Sequence, residues 1–258
     1  MRDKFLVFAH RGGSGRWPEN TMHAYQQSAA LGVDALELDI HSTADGELVV
    51  IHDPFVERVT DGKGAVHSFT LADLRQLDAG YWWSDDGGQT YPFRSQGLTI
   101  PTLAEVFETF PHLWINIDIK QHDPPIVEPF VALIRAHNMA HKVCVGSFHT
   151  DTVRQFRAAC PEAATAASLP EVWQLLVLSK LGLGALFQGE ATAVQIPEVD
   201  SRLRIITPAF VEAAHQAGTA VHVWTVDDVA GMRRLINMGV DGLMTDYPDI
   251  LLKLLGRL

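Results

Sequence analysis

Short apolar runs alternate along this chain with longer segments whose apolar positions recur every three to four residues. Runs of the first kind read as buried strands and those of the second as helices packed by one face. The pattern predicts strands over 5–10, 35–41, 114–120, 143–148, 163–168, 193–196, 220–226 and 242–245. Each is followed by a predicted helix, over 19–31, 103–110, 126–137, 152–159, 171–181, 208–217, 229–238 and 249–254. Pro18 precedes the first helix and Gly32 closes it. A short extended piece, 48–52, follows the Asp45-Gly46 turn.

Eight strand–helix units in sequence predict a parallel sheet, closed as a (β/α)₈ TIM barrel; an open, doubly wound sheet is the structural alternative. The alternation lapses over residues 54–99, which hold six glycines and the aromatic run Tyr81-Trp82-Trp83. That stretch predicts an insertion after the second strand, with one short helix over 71–77. Residues 1–258 then form one domain, a length that suits a single barrel.

Alternation within the strands points to where the chemistry lies. Along a strand, side chains alternate faces. Glu37, Asp39 and His41 therefore share one face, and Leu36, Leu38 and Ile40 the other. The third strand repeats the arrangement, with Asn116, Asp118 and Lys120 opposite Ile115, Ile117 and Ile119, and His222 and Trp224 share a face near the end of the chain. Carboxylates aimed into a barrel are costly unless a cation or hydrogen bonds satisfy them. Glu37, Asp39 and Asp118 come from adjacent strands and are expected to converge. Such an all-oxygen set suits Mg²⁺ or Ca²⁺ better than zinc. The plainer alternative is an interior salt bridge to Lys120 or Arg11.

Charge and composition narrow the partners. The formal net charge is −11, which disfavours nucleic acid and anionic membrane surfaces. A phosphate-bearing substrate then needs a local positive site. No stretch has the length of a membrane span, and the first residues are too short an apolar run for a signal peptide. Cys144 and Cys160, the two cysteines, suggest no disulfide framework. These features predict a cytoplasmic protein without stable membrane insertion.

Several motifs then occur in a telling order: His10-Arg11-Gly12, Pro18-Glu19-Asn20-Thr21, Glu37-Leu38-Asp39, Asp45-Gly46 and Val50-Ile51-His52-Asp53. Asn116-Ile117-Asp118-Ile119-Lys120, Val223-Trp224-Thr225-Val226, Gly239-Val240-Asp241-Gly242 and Thr245-Asp246 follow. The ordered set resembles the glycerophosphodiester phosphodiesterase family over nearly the whole chain. The resemblance implies metal-dependent hydrolysis of glycerophosphodiesters to sn-glycerol 3-phosphate and an alcohol. It implies that Glu37, Asp39 and Asp118 hold one divalent cation, Mg²⁺ or Ca²⁺. His10 and His52 would be the general acid–base pair, and Arg11 and Lys120 would contact phosphate. Trp224, at a strand end, is expected to line the substrate pocket.

These residue types suit that chemistry. Arginine grips two phosphate oxygens with its planar fork, and imidazoles exchange protons near neutral pH. One departure stands out: the family usually carries Glu where this chain has Asp118, whose reach is about one C–C bond shorter. Two other activities are carried as alternatives, a lysophospholipase D-like phosphodiesterase and a non-catalytic binder of phosphorylated ligands. Glu19 and Asn20 are expected either to cap the first helix or to support the metal site. His41 either backs the site or marks the strand's exit. Tyr81, Trp82 and Trp83 either form the insertion's core or roof the site, where aromatics could hold a choline-like ammonium. His23, His67, His112, His137 and His215 read as surface or loop residues.

Overall fold

A computed structural model describes residues 4–200 and 203–258. Eight parallel strands make the barrel wall: β1 (Leu6–Ala9), β2 (Ala35–Ser42), β3 (Trp114–Ile119), β4 (Val143–Gly146), β5 (Ala164–Thr165), β6 (Ala193–Ile196), β7 (Ala220–Val223) and β8 (Gly242–Thr245). They run β5-β4-β3-β2-β1-β8-β7-β6 around the circle. A parallel bridge between Ala166 and Ala193 joins β5 to β6, where Ala167 N–H donates to the Ala193 carbonyl at 2.8 Å. The sheet is thus closed, and the open doubly wound alternative is excluded.

The outer ring is α1 (Met22–Leu31), α2 (Leu103–Thr109), α3 (Val127–Ala136), α4 (Thr150–Ala159), α5 (Leu169–Leu181), α6 (Pro208–Gln216), α7 (Val229–Met238) and α8 (Pro248–Leu254). Leu36, Leu38, Ile40, Ile115, Ile117 and Ile119 lie in the core between wall and helices, with Phe107, Phe130 and Phe156 among the helix residues that meet them. Inside the barrel, Leu6, Phe8, Ala35 and Met244 pack with Trp114 and Trp224.

The barrel interior also holds a polar group. Gln195 Nε2 donates to Asn116 Oδ1 at 2.6 Å and lies 3.2 Å from His222 Nδ1. Buried Cys144 is alongside, and the His222 ring leans on Phe8, centroids 4.7 Å apart. Burial pulls the His222 imidazole down to about 4, which keeps it neutral.

Element ends move for local reasons. The first helix begins at Met22 rather than 19, because Thr21 is its N-cap and accepts from Ala24 N–H. Glu19 and Asn20 therefore do not cap it. The extended piece after the Asp45-Gly46 turn ends at Val50, and β7 ends at Val223. The insertion's helix covers only Leu71–Leu74, closed at its start by a capping box between Thr70 and Asp73.

The insertion packs on a small core of its own, with Val56, Val66, Leu74 and Ala79 against Val49, Ile51 and Ile100. Its aromatic residues surround a cation that the chain itself supplies. The Arg94 guanidinium lies 4.0 Å from the ring centroids of both Tyr81 and Tyr91 and 5.5 Å from that of Trp82. Trp83 ties the insertion to the loop after β1, donating from Nε1 to the Ser14 carbonyl at 2.9 Å. Tyr81 and Trp82 thus help build the insertion around Arg94, and Trp83 joins it to the loop after β1.

Candidate active site

In a parallel barrel, the carboxyl ends of the strands and the loops after them form the working face. At the end of β1 the chain makes a tight turn, His10–Gly12, in which Arg11 has φ 49° and Gly12 φ 84°. A Cβ on Gly12 would stand 2.8 Å from that of Ala24. The turn needs glycine there on both counts, and Glu37 fastens it by accepting Arg11 N–H at 2.9 Å.

The register of β2 and β3 sets Glu37 beside Asn116 and Asp39 beside Asp118. Lys120 reaches back from the end of β3, its Nζ 2.6 Å from Asp118 Oδ2 and 3.1 Å from Asp39 Oδ1. Arg11 Nε lies 3.4 Å from Asp39 Oδ2, and Asn20 Nδ2 donates to that oxygen at 3.2 Å. The structure thus pairs Arg11 with Asp39, and Lys120 with Asp39 and Asp118, the interior salt bridges of the plainer alternative, while Glu37 accepts from the Arg11 backbone.

The electrostatics follow from that pairing. Burial drives the Glu37 carboxyl up to about 7, assisted by the neighbouring Asp39 charge. Burial also pushes Asp39 upward, but Lys120 and Arg11 outweigh it and leave that carboxyl below its ordinary value. Asp118 is raised by burial despite Lys120. Its Oδ1 is buried without a hydrogen-bond partner.

Both histidines are held in the same way. His10 Nδ1–H donates to Asp246 Oδ1 at 2.6 Å, and His52 Nδ1–H donates to Asp53 Oδ1 at 2.6 Å. A carboxylate only accepts, so each imidazole carries its proton on Nδ1 and leaves Nε2 to exchange one. His10 Nε2 lies 3.9 Å from Glu37 Oε2. Burial alone would pull His10 down, yet Glu37 and Asp246 outweigh it and raise its pKa. His52 lies near enough for its charge to bear on both Asp39 and Asp118.

Support for these groups comes from several further residues. Asp246 also accepts Ser14 Oγ at 2.6 Å and sits on Asp227, to which its N–H donates at 2.8 Å. Arg58, from the insertion, clamps two carboxylates. It donates to Glu19 at 2.7 and 2.8 Å and to Asp53 at 2.6 and 3.2 Å. Glu19 in turn holds Arg11 at 3.1 Å. A chain His52–Asp53–Arg58–Glu19–Arg11 therefore links one imidazole to one guanidinium. Asn20 bridges Tyr25 to Asp39, accepting the Tyr25 hydroxyl at 2.7 Å. Buried His41 donates from Nε2 to the His52 carbonyl at 3.2 Å, so it backs that loop rather than marking an exit.

Trp224 stands at the mouth beyond β7, its ring 6.1 Å from exposed Phe148, over which Lys120 sits at 5.2 Å. His215 is more than a surface residue: it pairs with Asp241 at 2.8 Å, and Asp241 accepts Val221 N–H. Sequence spacing gave no sign of Arg58, because its partners lie 39 and 5 residues away on other segments.

The donor set fits a hard divalent cation. It offers oxygen only, and one of its oxygens, Asp118 Oδ1, is buried and unpartnered. Among the described residues, no three acidic, histidine or cysteine side chains stand at metal-ligand spacing. Lys120 provides the charge balance between Asp39 and Asp118.

Comparison with known proteins completes the picture. The model of the glycerophosphoryl diester phosphodiesterase family matches residues 10–250. A glycerophosphodiester phosphodiesterase of Caldanaerobacter subterraneus subsp. tengcongensis is 34% identical, over 98% of this chain and 99% of its own. A phosphodiesterase from Oleispira antarctica, solved in complex with the product sn-glycerol-3-phosphate, matches with a TM-score of 0.80 at 28% identity, over 97% of this chain and 96% of that one. A glycerophosphoryl diester phosphodiesterase domain from Mycobacterium tuberculosis shares the fold, with a TM-score of 0.86 at 24% identity over 99% of this chain and 100% of that one.

Proposed function

Since the chain belongs to the glycerophosphoryl diester phosphodiesterase family and is thereby a phosphoric diester hydrolase, we propose that it cleaves glycerophosphodiesters to sn-glycerol 3-phosphate and an alcohol with His10 and His52 as its acid–base pair. One observation carries the assignment. Two imidazoles, each fixed through Nδ1 by a carboxylate at 2.6 Å, stand at the barrel mouth beside Arg11 and Lys120. The barrel and its 54–99 insertion act as one domain in this reading, since Arg58 of the insertion braces both Asp53 and Glu19.

Arg11 and Lys120 bind the phosphodiester oxygens and offset the repulsion of an acidic protein. One histidine takes a proton on Nε2 from the attacking hydroxyl. The other returns one to the departing alkoxide, which is too basic to leave unprotonated. Asp246 and Asp53 hold the two rings in the required tautomer. Trp224 and Phe148 wall the mouth where the leaving alcohol would lie. The attacking hydroxyl belongs either to water or to the substrate's own glycerol; trapping a cyclic phosphate in rapid-quench samples identifies the second route.

Glu37, Asp39 and Asp118 would hold one divalent cation, Mg²⁺ or Ca²⁺. Bound there, it would supply positive charge to a phosphate oxygen and relieve the carboxylate cluster. Two free cysteines accord with a cytoplasmic location, and no helix among the described residues is long and apolar enough to cross a membrane.

The test is release of glycerol 3-phosphate from glycerophosphocholine and glycerophosphoethanolamine, with EDTA, Mg²⁺ or Ca²⁺. Metal-dependent release, lost in His10→Ala and Glu37→Ala, is the expected result. Faster turnover of lysophosphatidylcholine than of glycerophosphocholine would favour a lysophospholipase D instead. No release from any of these would leave a binding protein.

A further inference from the structure

Helix α5 (Leu169–Leu181) is apolar on both sides, unlike its neighbours. Val172, Leu175 and Leu176 are buried against the barrel wall. On the opposite face Leu169, Trp173, Val177 and Leu181 recur every four residues and are 60%, 52%, 55% and 64% exposed. Helices α3 and α4 turn Glu128, Arg135, Asp151 and Arg154 outward instead. Leu183 and Leu186 extend the ridge beyond the helix end. Six of the twelve exposed large hydrophobics among the described residues fall in this one segment, which single scattered surface leucines do not explain. An amphipathic helix of a monomer has a polar outer face; one that is apolar all round is covered on both sides.

We infer that this ridge is the contact between two copies of the chain, packed as an antiparallel α5–α5 pair about a two-fold axis. The spacing is self-complementary about position 175. Such an axis sets Leu169 against the second copy's Leu181, and Trp173 against its Val177, large against small. A two-fold contact requires this kind of reciprocity. The ridge spans about 18 Å along the helix, a little over three turns.

The area is of the right order. Six half-exposed side chains offering on the order of 100 Å² each give about 600 Å² of apolar surface, against roughly 800 Å² per partner in a standard stable interface. Bordering polar residues such as Gln174 and Lys180 make up the rim. Charge argues against a lipid surface as the occupant. The chain carries −11 overall, and Lys180 is the single cation on the exposed face of α5, whereas anionic headgroups are held by clusters of basic residues.

Sedimentation equilibrium of the whole protein at micromolar concentration tests this. The expected mass is twice 28.4 kDa, falling to 28.4 kDa in Val177→Glu. Both Val177 and Trp173 are exposed, so substitution there leaves the fold of the single chain and its hydrolytic rate in place. A Trp173→Cys/Val177→Cys variant reports the geometry: on oxidation it should cross-link into a covalent dimer, since Cys144 and Cys160 are buried. A wild-type monomer overturns the inference, whether or not it co-sediments with phosphatidylcholine vesicles. So does a dimer that survives Val177→Glu and does not cross-link.

Discussion

Replacing Asp246 by Asn isolates the contribution of one carboxylate to one imidazole. The side chain keeps its shape, so Ser14 and the Asp227 contact to the Asp246 backbone retain a neighbour of the same size. What changes is the bond at 2.6 Å to His10 Nδ1. A hydrogen bond to a charged group contributes about 1.5–3 kcal/mol, which corresponds to roughly 10- to 150-fold in rate if it is lost in the transition state. The amide adds a second effect. Its NH₂ can donate to Nδ1, which moves the imidazole proton to Nε2 and presents the wrong tautomer to the substrate. In the serine protease triad the equivalent change lowers kcat by about 10⁴. Asp246→Asn is therefore expected to lower kcat for glycerophosphocholine by at least tenfold, with KM little changed. Steady-state kinetics alongside a thermal melt measure this. An unchanged kcat in a folded Asp246→Asn protein would refute the reasoning that Asp246 sets the His10 tautomer.

Three further outcomes are expected. Arg58→Met removes the clamp on both Asp53 and Glu19, so kcat and KM for glycerophosphocholine should both worsen, each by several-fold; effects confined to the melting temperature would contradict its role as a brace. His222 titrates at about 4 in the fold against 6.5 when unfolded, so the unfolded chain gains its proton first as pH falls. Stability owed to this group is complete above pH 6.5 and is lost as pH falls towards 4, by about 3 kcal/mol; urea unfolding at pH 7 and 4.5 should show a smaller pH dependence in His222→Gln. Gly12→Ala places a Cβ 2.8 Å from Ala24 at φ 84° and should destabilise the fold by about 2–3 kcal/mol, a fall of roughly 5–10 °C in the melting temperature by calorimetry.

Most of the barrel was legible because the signals that specify it are local. Period-two runs such as 35–41 and period-3.6 runs such as 229–238 depend on near neighbours, and the latter helix is observed as Val229–Met238. The convergence of Glu37, Asp39, Arg11 and Lys120 was legible for a related reason: strand alternation and strand adjacency fix it once the barrel closes. What escaped were contacts made by side chains from distant segments. Arg58 carries no motif signal of its own and gains meaning only when the insertion folds back over β1 and β2. The aromatic run of the insertion was ambiguous for the same reason, since only the fold brings Arg94 between Tyr81 and Tyr91. Helix starts moved where a capping side chain, as at Thr21, decided the first turn.

The division of labour between the two imidazoles is tested most directly by changing the leaving group. Glycerol 3-phosphate esterified to 4-nitrophenol releases a phenolate that needs no proton, whereas choline's alkoxide does. On glycerophosphocholine, His10→Ala and His52→Ala should each lose about 10²- to 10⁴-fold in kcat. On the nitrophenyl ester, one of the two should recover most of that loss, which marks it as the acid, and the other should remain impaired as the base. Near wild-type rates for either variant on glycerophosphocholine, or equal impairment of both on the two substrates, would contradict the acid–base pair.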